Sequence, residues 1–212
     1  MMTSRSTPDA QLNVRTRLLD AAVMLVRQKG FAATSIDTLC AAAGVTKGAF
    51  FHHFASKDAL GVAAAGHWAA TTSVLFAEAP YHAPADPLDR VFAYLDFRSA
   101  LLVGDIADFT CLVGTMVQET HATSPAIAAA CDASISGHAK TLEADIAALA
   151  AANVTDVDAA SLALHTQAVL QGGFILAKAK GSPSIARDTI AHLKRYVAML
   201  CGVSVPNERK TP

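Results

Sequence analysis

Apolar residues recur three and four positions apart through most of the chain, and glycine or proline interrupts them at intervals that suit helices. Residues 14–29 predict a first helix, with Leu18, Ala22, Leu25 and Val26 on one face and Gly30 as its stop. Thr34 predicts the cap of a second helix, with Asp37 completing a capping-box pattern, Ile36, Leu39, Cys40 and Ala43 facing inward, and Gly44 ending it. A short third helix follows from Thr46 to about Phe54. Ser56 then caps a long fourth, residues 57–79, which stops at Pro80. The pairs Asp86-Pro87, Ser124-Pro125 and Ser182-Pro183 each place a cap residue before a proline suited to the first helical turn. Asp156 predicts the cap of a helix that runs to about Lys180 and breaks at Gly181.

The pattern therefore predicts an all-α chain of about nine helices. Composition agrees: 52% of residues are hydrophobic but only 6% aromatic, so the apolar bulk is largely Ala, Leu and Val, which favours packed helices over a pleated sheet. The expected organisation is a disordered arm over residues 1–13, a three-helix domain over 14–56, a larger helical domain over 57–202, and a flexible tail over 203–212. No uncharged apolar run of about 18 residues stands out, so no membrane span is expected. The first dozen residues lack the apolar centre of a signal peptide, and a cytoplasmic protein is expected. Net charge is −1, yet residues 1–60 carry seven Lys and Arg against four Asp and Glu. The remainder carries ten against fourteen, so the basic end is the one suited to a polyanion.

The informative stretch is residues 34–57, TSIDTLCAAAGVTKGAFFHHFASK. Two short helices joined through Gly44 have the length of a helix-turn-helix, in which the N-terminal residues of the second helix enter the major groove. Those residues are Thr46, Lys47, Gly48 and Ala49. Glycine inside a helix costs roughly 1 kcal/mol relative to Ala, so Gly48 fits a backbone that must approach DNA closely. Phe50 and Phe54, four apart, predict the anchor to the core; Phe51, His52 and His53 face elsewhere, where imidazoles can reach phosphates. Lys57 opens the fourth helix, where N–H groups and an ammonium together favour phosphate. Without these polar residues the same pattern would read as an ordinary helical hairpin.

Residues 14–68 resemble the DNA-binding domain of the TetR family of transcriptional repressors. The matching positions are Gly30-Phe31, Thr34-Ser35, and the block Gly48, Phe51, His53, Phe54, Lys57. Phe51 stands where the family usually has Tyr, so a phenolic hydroxyl that often meets phosphate is missing. The resemblance implies a backbone contact from Thr34 with Ser35 beside it, base reading by Thr46 to Ala49, dimerisation on an inverted-repeat operator, and repression relieved by a ligand. It also implies that the last two helices form a two-fold interface; candidates there are Leu164, Gly172, Gly173, Leu193 and Tyr196.

The body is less specific. Residues 110–119, TCLVGTMVQE, are similar to a Gly-Cys-Leu block of electrophile-responsive NemR-type members, with Thr110 in place of the Gly. Cys111 either packs as a small hydrophobe or acts as a sensor thiol, and Lys178 is the cation considered for lowering its pKa. Met116, Glu119, His165 and Phe174 complete the candidate effector residues, each with plain packing or a solvated face as the alternative. The four cysteines show no ligand pattern, and His121, His138, His165 and His192 share no metal spacing, so neither metal nor cofactor is expected. Two other functions compete: a small helical enzyme using Cys111 with His121 or His165 as base, and a helical interaction module that binds no DNA. The first leaves the helix-turn-helix unexplained.

Overall fold

The computed structural model describes residues 8–153 and 156–203. Among them there are ten α-helices and no strand: α1 (Pro8–Lys29), α2 (Ile36–Ala43), α3 (Lys47–His53), α4 (Lys57–Ala77), α5 (Pro87–Ala100), α6 (Ile106–Phe109), α7 (Leu112–Thr120), α8 (Pro125–Asn153), α9 (Ala159–Lys180) and α10 (Ser184–Leu200). A 3-10 turn at Pro80–His82 precedes α5. The helix beyond the expected nine is α6, whose four residues are too few to show a period. Of the arm expected over 1–13, residues 1–7 lie outside the described residues, and α1 begins at Pro8, six residues before the expected start. Residues 204–212 of the expected tail also lie outside them.

Two caps differ from expectation. Ser35, not Thr34, caps α2: its extended backbone lets Oγ accept from Thr38 N–H at 3.1 Å, while Thr34 turns inward and donates to Gly30 O at 2.7 Å. Likewise Asp158, not Asp156, caps α9, accepting from Ser161 N–H at 2.6 Å. A cap stands directly before the first helical residue and satisfies an N–H two or three positions on; with α9 starting at Ala159, that place falls to Asp158 and not to Asp156. Asp86 caps α5 as expected, taking the N–H groups of Leu88 and Asp89. Gly44 closes α2 in the left-handed region at φ 62°, which sets the sharp turn into α3.

Packing divides the chain into two compact units at other places than the expected boundary after residue 56. Among the described residues one comprises 8–74 and 110–135, the other 75–109, 136–153 and 156–203, because the long helices α4 and α8 each contribute to both. In the first unit Leu18, Leu39, Phe50 and Leu60 share a core with Leu112, Met116 and Ile127, all at 1% exposure or less. Each contributes roughly 1.5–3 kcal/mol by burial. The second unit buries Tyr94, Leu95, Leu142, Ile146, Leu170, Phe174, Ile190 and Leu193. Arg90 and Asp145 tie α5 to α8 at 2.6 Å, and Arg187 of α10 donates to Leu102 O.

One expectation about membranes needs correcting. Helix α4 has the length and apolarity of a membrane span, with a mean hydropathy of 1.2. Its many alanines raise that average, while Thr71, Thr72 and Ser73 bond their hydroxyls to the helix's own carbonyls.

Candidate nucleic-acid interface

Helix α3 is seated by its aromatic residues. Phe50 is fully buried and Phe54 nearly so, with ring centroids 5.8 Å apart, and they hold one face of the helix against the first unit's core. The opposite face is thereby turned outward. Thr46 caps α3, its Oγ1 accepting from Ala49 N–H at 3.2 Å, and Thr46, Lys47 and Gly48 are all exposed. An added Cβ at Gly48 would meet only Thr46 Oγ1, at 3.7 Å. Nothing inside the protein therefore demands glycine at this position.

The remaining candidates divide. Lys47 is exposed and paired with Asp37 at 2.7 Å, so its ammonium already has one carboxylate partner, which holds its pKa up. Phe51 is 53% exposed and meets Phe50 edge-on, leaving an apolar ring at the surface where a hydroxyl was missed. His52 is exposed; His53 is half-buried, its pKa pushed down by burial and by the positive charge of His52 and Arg15 nearby. Ser35 is exposed beside the same turn. Thr34 is 1% exposed and spends its hydroxyl on Gly30, so the phosphate contact implied for it has no exposed donor.

Lys57 does not project freely into solvent. Its Nζ lies 4.5 Å above the Phe31 ring and donates to Ala32 O at 3.3 Å, and partial burial lowers its pKa. The neighbouring N–H of Ala32 donates to Glu119 Oε2 at 2.6 Å. The loop between α1 and α2 is thus gripped from both sides, by the start of α4 and by the end of α7. Gly30 makes this possible: its φ is 89°, and a Cβ there would collide with Glu119 Oε1. At the other end of α7, Arg27 Nε donates to Thr110 O at 2.7 Å while its guanidinium lies 5.0 Å over Trp68.

Two arginines at this surface had no signal in the sequence beyond the basic bias of its first 60 residues. Arg17 donates to Gly44 O at 3.1 Å, at the turn between α2 and α3. Arg15 lies 5.2 Å over the Phe54 ring. Glu119, one of the effector candidates, braces the α1–α2 loop.

The effector candidates fall into two groups. Cys111, Met116 and Glu119 belong to one unit; His165, Phe174 and Lys178 belong to the other. Met116 is wholly buried in the core shared with α1 to α4. Cys111 is half-buried at the cap position of α7, without a side-chain cap bond. His121 follows α7 at its far end, roughly 15 Å away along a ten-residue helical rise, so it cannot serve Cys111 as a base. His165 is exposed with its ring 5.4 Å from Tyr196, whereas Phe174 faces the interior, 6.3 Å from Phe109. Lys178 is exposed in the last turn of α9.

The interface candidates split as well. Gly173 and Leu193 are buried, and a Cβ on Gly173 would stand 3.4 Å from Thr189 of α10, in ordinary contact, so this glycine faces α10 within one chain. Gly172 has open space, and Leu164 and Tyr196 are 50% and 39% exposed. Ile175, Leu176 and Met199 extend the same exposed apolar set.

A second polar cluster emerged only in three dimensions. Tyr94 and His138, brought together from α5 and α8, meet at 3.0 Å, and Gln167 of α9 donates to the Tyr94 hydroxyl at 3.3 Å. Burial, reinforced by the Arg98 charge, pushes His138 down to about 4, so it is neutral near pH 7 and its Nε2 accepts the Tyr94 O–H. Beside Tyr94 a cavity of about 10 Å³ is lined by Arg90, Leu142, Asp145 and Thr166, space for a single water.

A capped pair of short helices with an outward-facing N-terminus on a wholly helical body defines the class of helix-turn-helix regulatory proteins. Within that class the chain belongs to the TetR family. Residues 18–64 match the model of bacterial regulatory proteins of the tetR family, and residues 87–192 match the LmrA/YxaF-like transcriptional regulator C-terminal domain. Over 46 residues, 22% of this chain, it is 44% identical to the HTH-type transcriptional regulator YerO of Bacillus subtilis and 41% identical to the transcriptional repressor KstR2 of Rhodococcus jostii. Those alignments span only 16% and 22% of the relatives' own lengths. A TetR transcriptional regulator from Chloroflexus aurantiacus superposes with a TM-score of 0.77 at 25% identity, covering 90% of this chain and 96% of the other. Reduced NemR of Escherichia coli superposes at 0.73 and 24% identity, covering 92% and 98%, a likeness of fold.

Proposed function

We propose that this chain is a cytoplasmic, homodimeric repressor that binds an inverted-repeat operator through α3 and is released when a small molecule enters its helical body. The observation that carries the reading is the outward face of α3: Thr46, Lys47 and Gly48 are exposed, with Gly48 free of any internal packing demand. Base edges are read by such residues at the start of a recognition helix, while Arg17, His52 and Lys57 hold phosphates. The exposed set Leu164, Ile175, Leu176, Tyr196 and Met199 supports pairing with a second copy, because apolar groups this exposed on adjacent helices cost solvation in a monomer.

The test is binding to duplex DNA selected from random sequence. Lys47→Ala should change the preferred sequence. Lys57→Ala should lower affinity on every sequence and reduce the salt slope by about 1 if its ammonium leaves Ala32 for phosphate. Unchanged binding in both variants refutes the surface. A reactive electrophile is the second reading of the effector, favoured by the half-buried, cap-free thiol of Cys111. Cys111→Ser should then bind operator normally yet resist release by a quinone; release equal to wild type refutes it.

A further inference from the structure

Two arginines lie two turns apart on α5, and their surroundings differ in kind. Arg90 is fully engaged: it meets Asp145 at 2.6 Å and the carbonyls of Pro84 and Ala85 at 3.2 and 2.7 Å. Arg98 meets no carboxylate among the described residues. Its guanidinium lies over the rings of Phe76, Phe174 and Tyr94, at 5.2, 5.8 and 6.0 Å, and its one hydrogen-bond contact is His138 Nε2 at 3.4 Å. That nitrogen already accepts from Tyr94, so most of the guanidinium fork has no acceptor among the described residues. Nearby, Phe97 extends the aromatic shell, its ring centroid 5.6 Å from Phe76, and Tyr81 follows 5.8 Å from Phe97.

A planar, permanently charged fork held on ring faces is matched by a ligand with two features. One is a carboxylate, which takes two parallel N–H bonds in the plane of the guanidinium. The other is a flat ring, which can take over the stacking when the flexible Arg98 side chain lifts from the faces it covers. Simple aliphatic acids satisfy the first feature only, and neutral aromatics the second only. Asp145, the carboxylate of this region, is already held by Arg90 and does not compete.

We propose that Arg98, within the aromatic shell of Phe76, Tyr94 and Phe174 and beside His138, anchors the carboxylate of a planar aromatic acid that acts as this regulator's effector. The inference rests on the ligand-released reading above and names the chemical class of that ligand.

Calorimetric titration of the full chain with benzoate, 2-naphthoate and the neutral 2-naphthalenemethanol tests it. At least one acid should bind, and 2-naphthoate should bind at least about tenfold more tightly than the alcohol, the scale of a charge-assisted hydrogen bond. Arg98→Gln should weaken the acid by about tenfold or more and leave the alcohol unaffected. Arg98→Lys keeps the charge without the fork and should fall between, which guards against a glutamine variant that misfolds. No binding of either acid, equal binding of acid and alcohol, or undiminished acid binding by both variants overturns the inference. Operator binding by the unliganded wild type is measured separately. Its loss would refute the DNA reading whether or not Arg98-dependent acid binding is found, so the two readings fail independently.

Discussion

Acidification should loosen the body through His138. In the folded protein this imidazole sits near 4, against 6.5 in the unfolded chain. The depressed value means the unfolded state binds more protons between those limits, so stability is full above about pH 6.5 and is lost as pH falls towards about 4. A gap of about 2.5 units at about 1.4 kcal/mol per unit makes the whole effect about 3 kcal/mol. Between about pH 7 and pH 5.5 the same linkage gives a loss of about 1 kcal/mol, before most carboxylates begin to titrate. Desolvation is the main cause and Arg98 the second; Phe76, 4.4 Å away ring to ring, supplies much of the apolar wall. Urea unfolding of wild type and His138→Gln over this range is the assay, because glutamine can still accept from Tyr94 but cannot titrate. The difference in stability between the two proteins should shift by about 1 kcal/mol in favour of the variant at the lower pH and stay constant above about pH 7. A difference that stays flat across the range would show that His138 protonates freely in the fold and would refute the reasoning.

Three further outcomes follow from the packing. Leu176→Glu should convert a dimer to monomer in sedimentation while leaving the melting temperature of the fold largely intact, whereas Leu193→Ala should destabilise by about 2–5 kcal/mol through a core cavity. Gly30→Ala should destabilise by at least about 1 kcal/mol in urea unfolding, and adding Glu119→Ala should recover the steric share but not the strain of φ 89°. Thr110→Val should be neutral or stabilising by up to about 1 kcal/mol in the same assay, since Thr110 Oγ1 is buried without a hydrogen-bond partner among the described residues.

Helix periods, glycine stops and proline starts were legible in the residues because they are local: α2, α3 and α5 depend on groups within four positions of one another. For the same reason the pair of short helices joined through Gly44 could be read from the sequence by its spacing. Where two adjacent residues could each cap, as with Thr34 and Ser35, local chemistry was ambiguous, and the burial of Thr34 against Gly30 decided. The sequence determined on its own that the chain is helical and that its basic end carries a helix-turn-helix. Only the tertiary structure decided which apolar side of α9 faces α10, because both sides carry similar residues: it turned Gly173 inward and left Gly172, Leu164 and Leu176 open. It alone also brought Glu119 to Ala32 across 87 positions and Tyr94 to Gln167 across 73. Contacts at such separation leave no periodic trace in a sequence, since the chain that closes them is free to vary so long as its helices still pack.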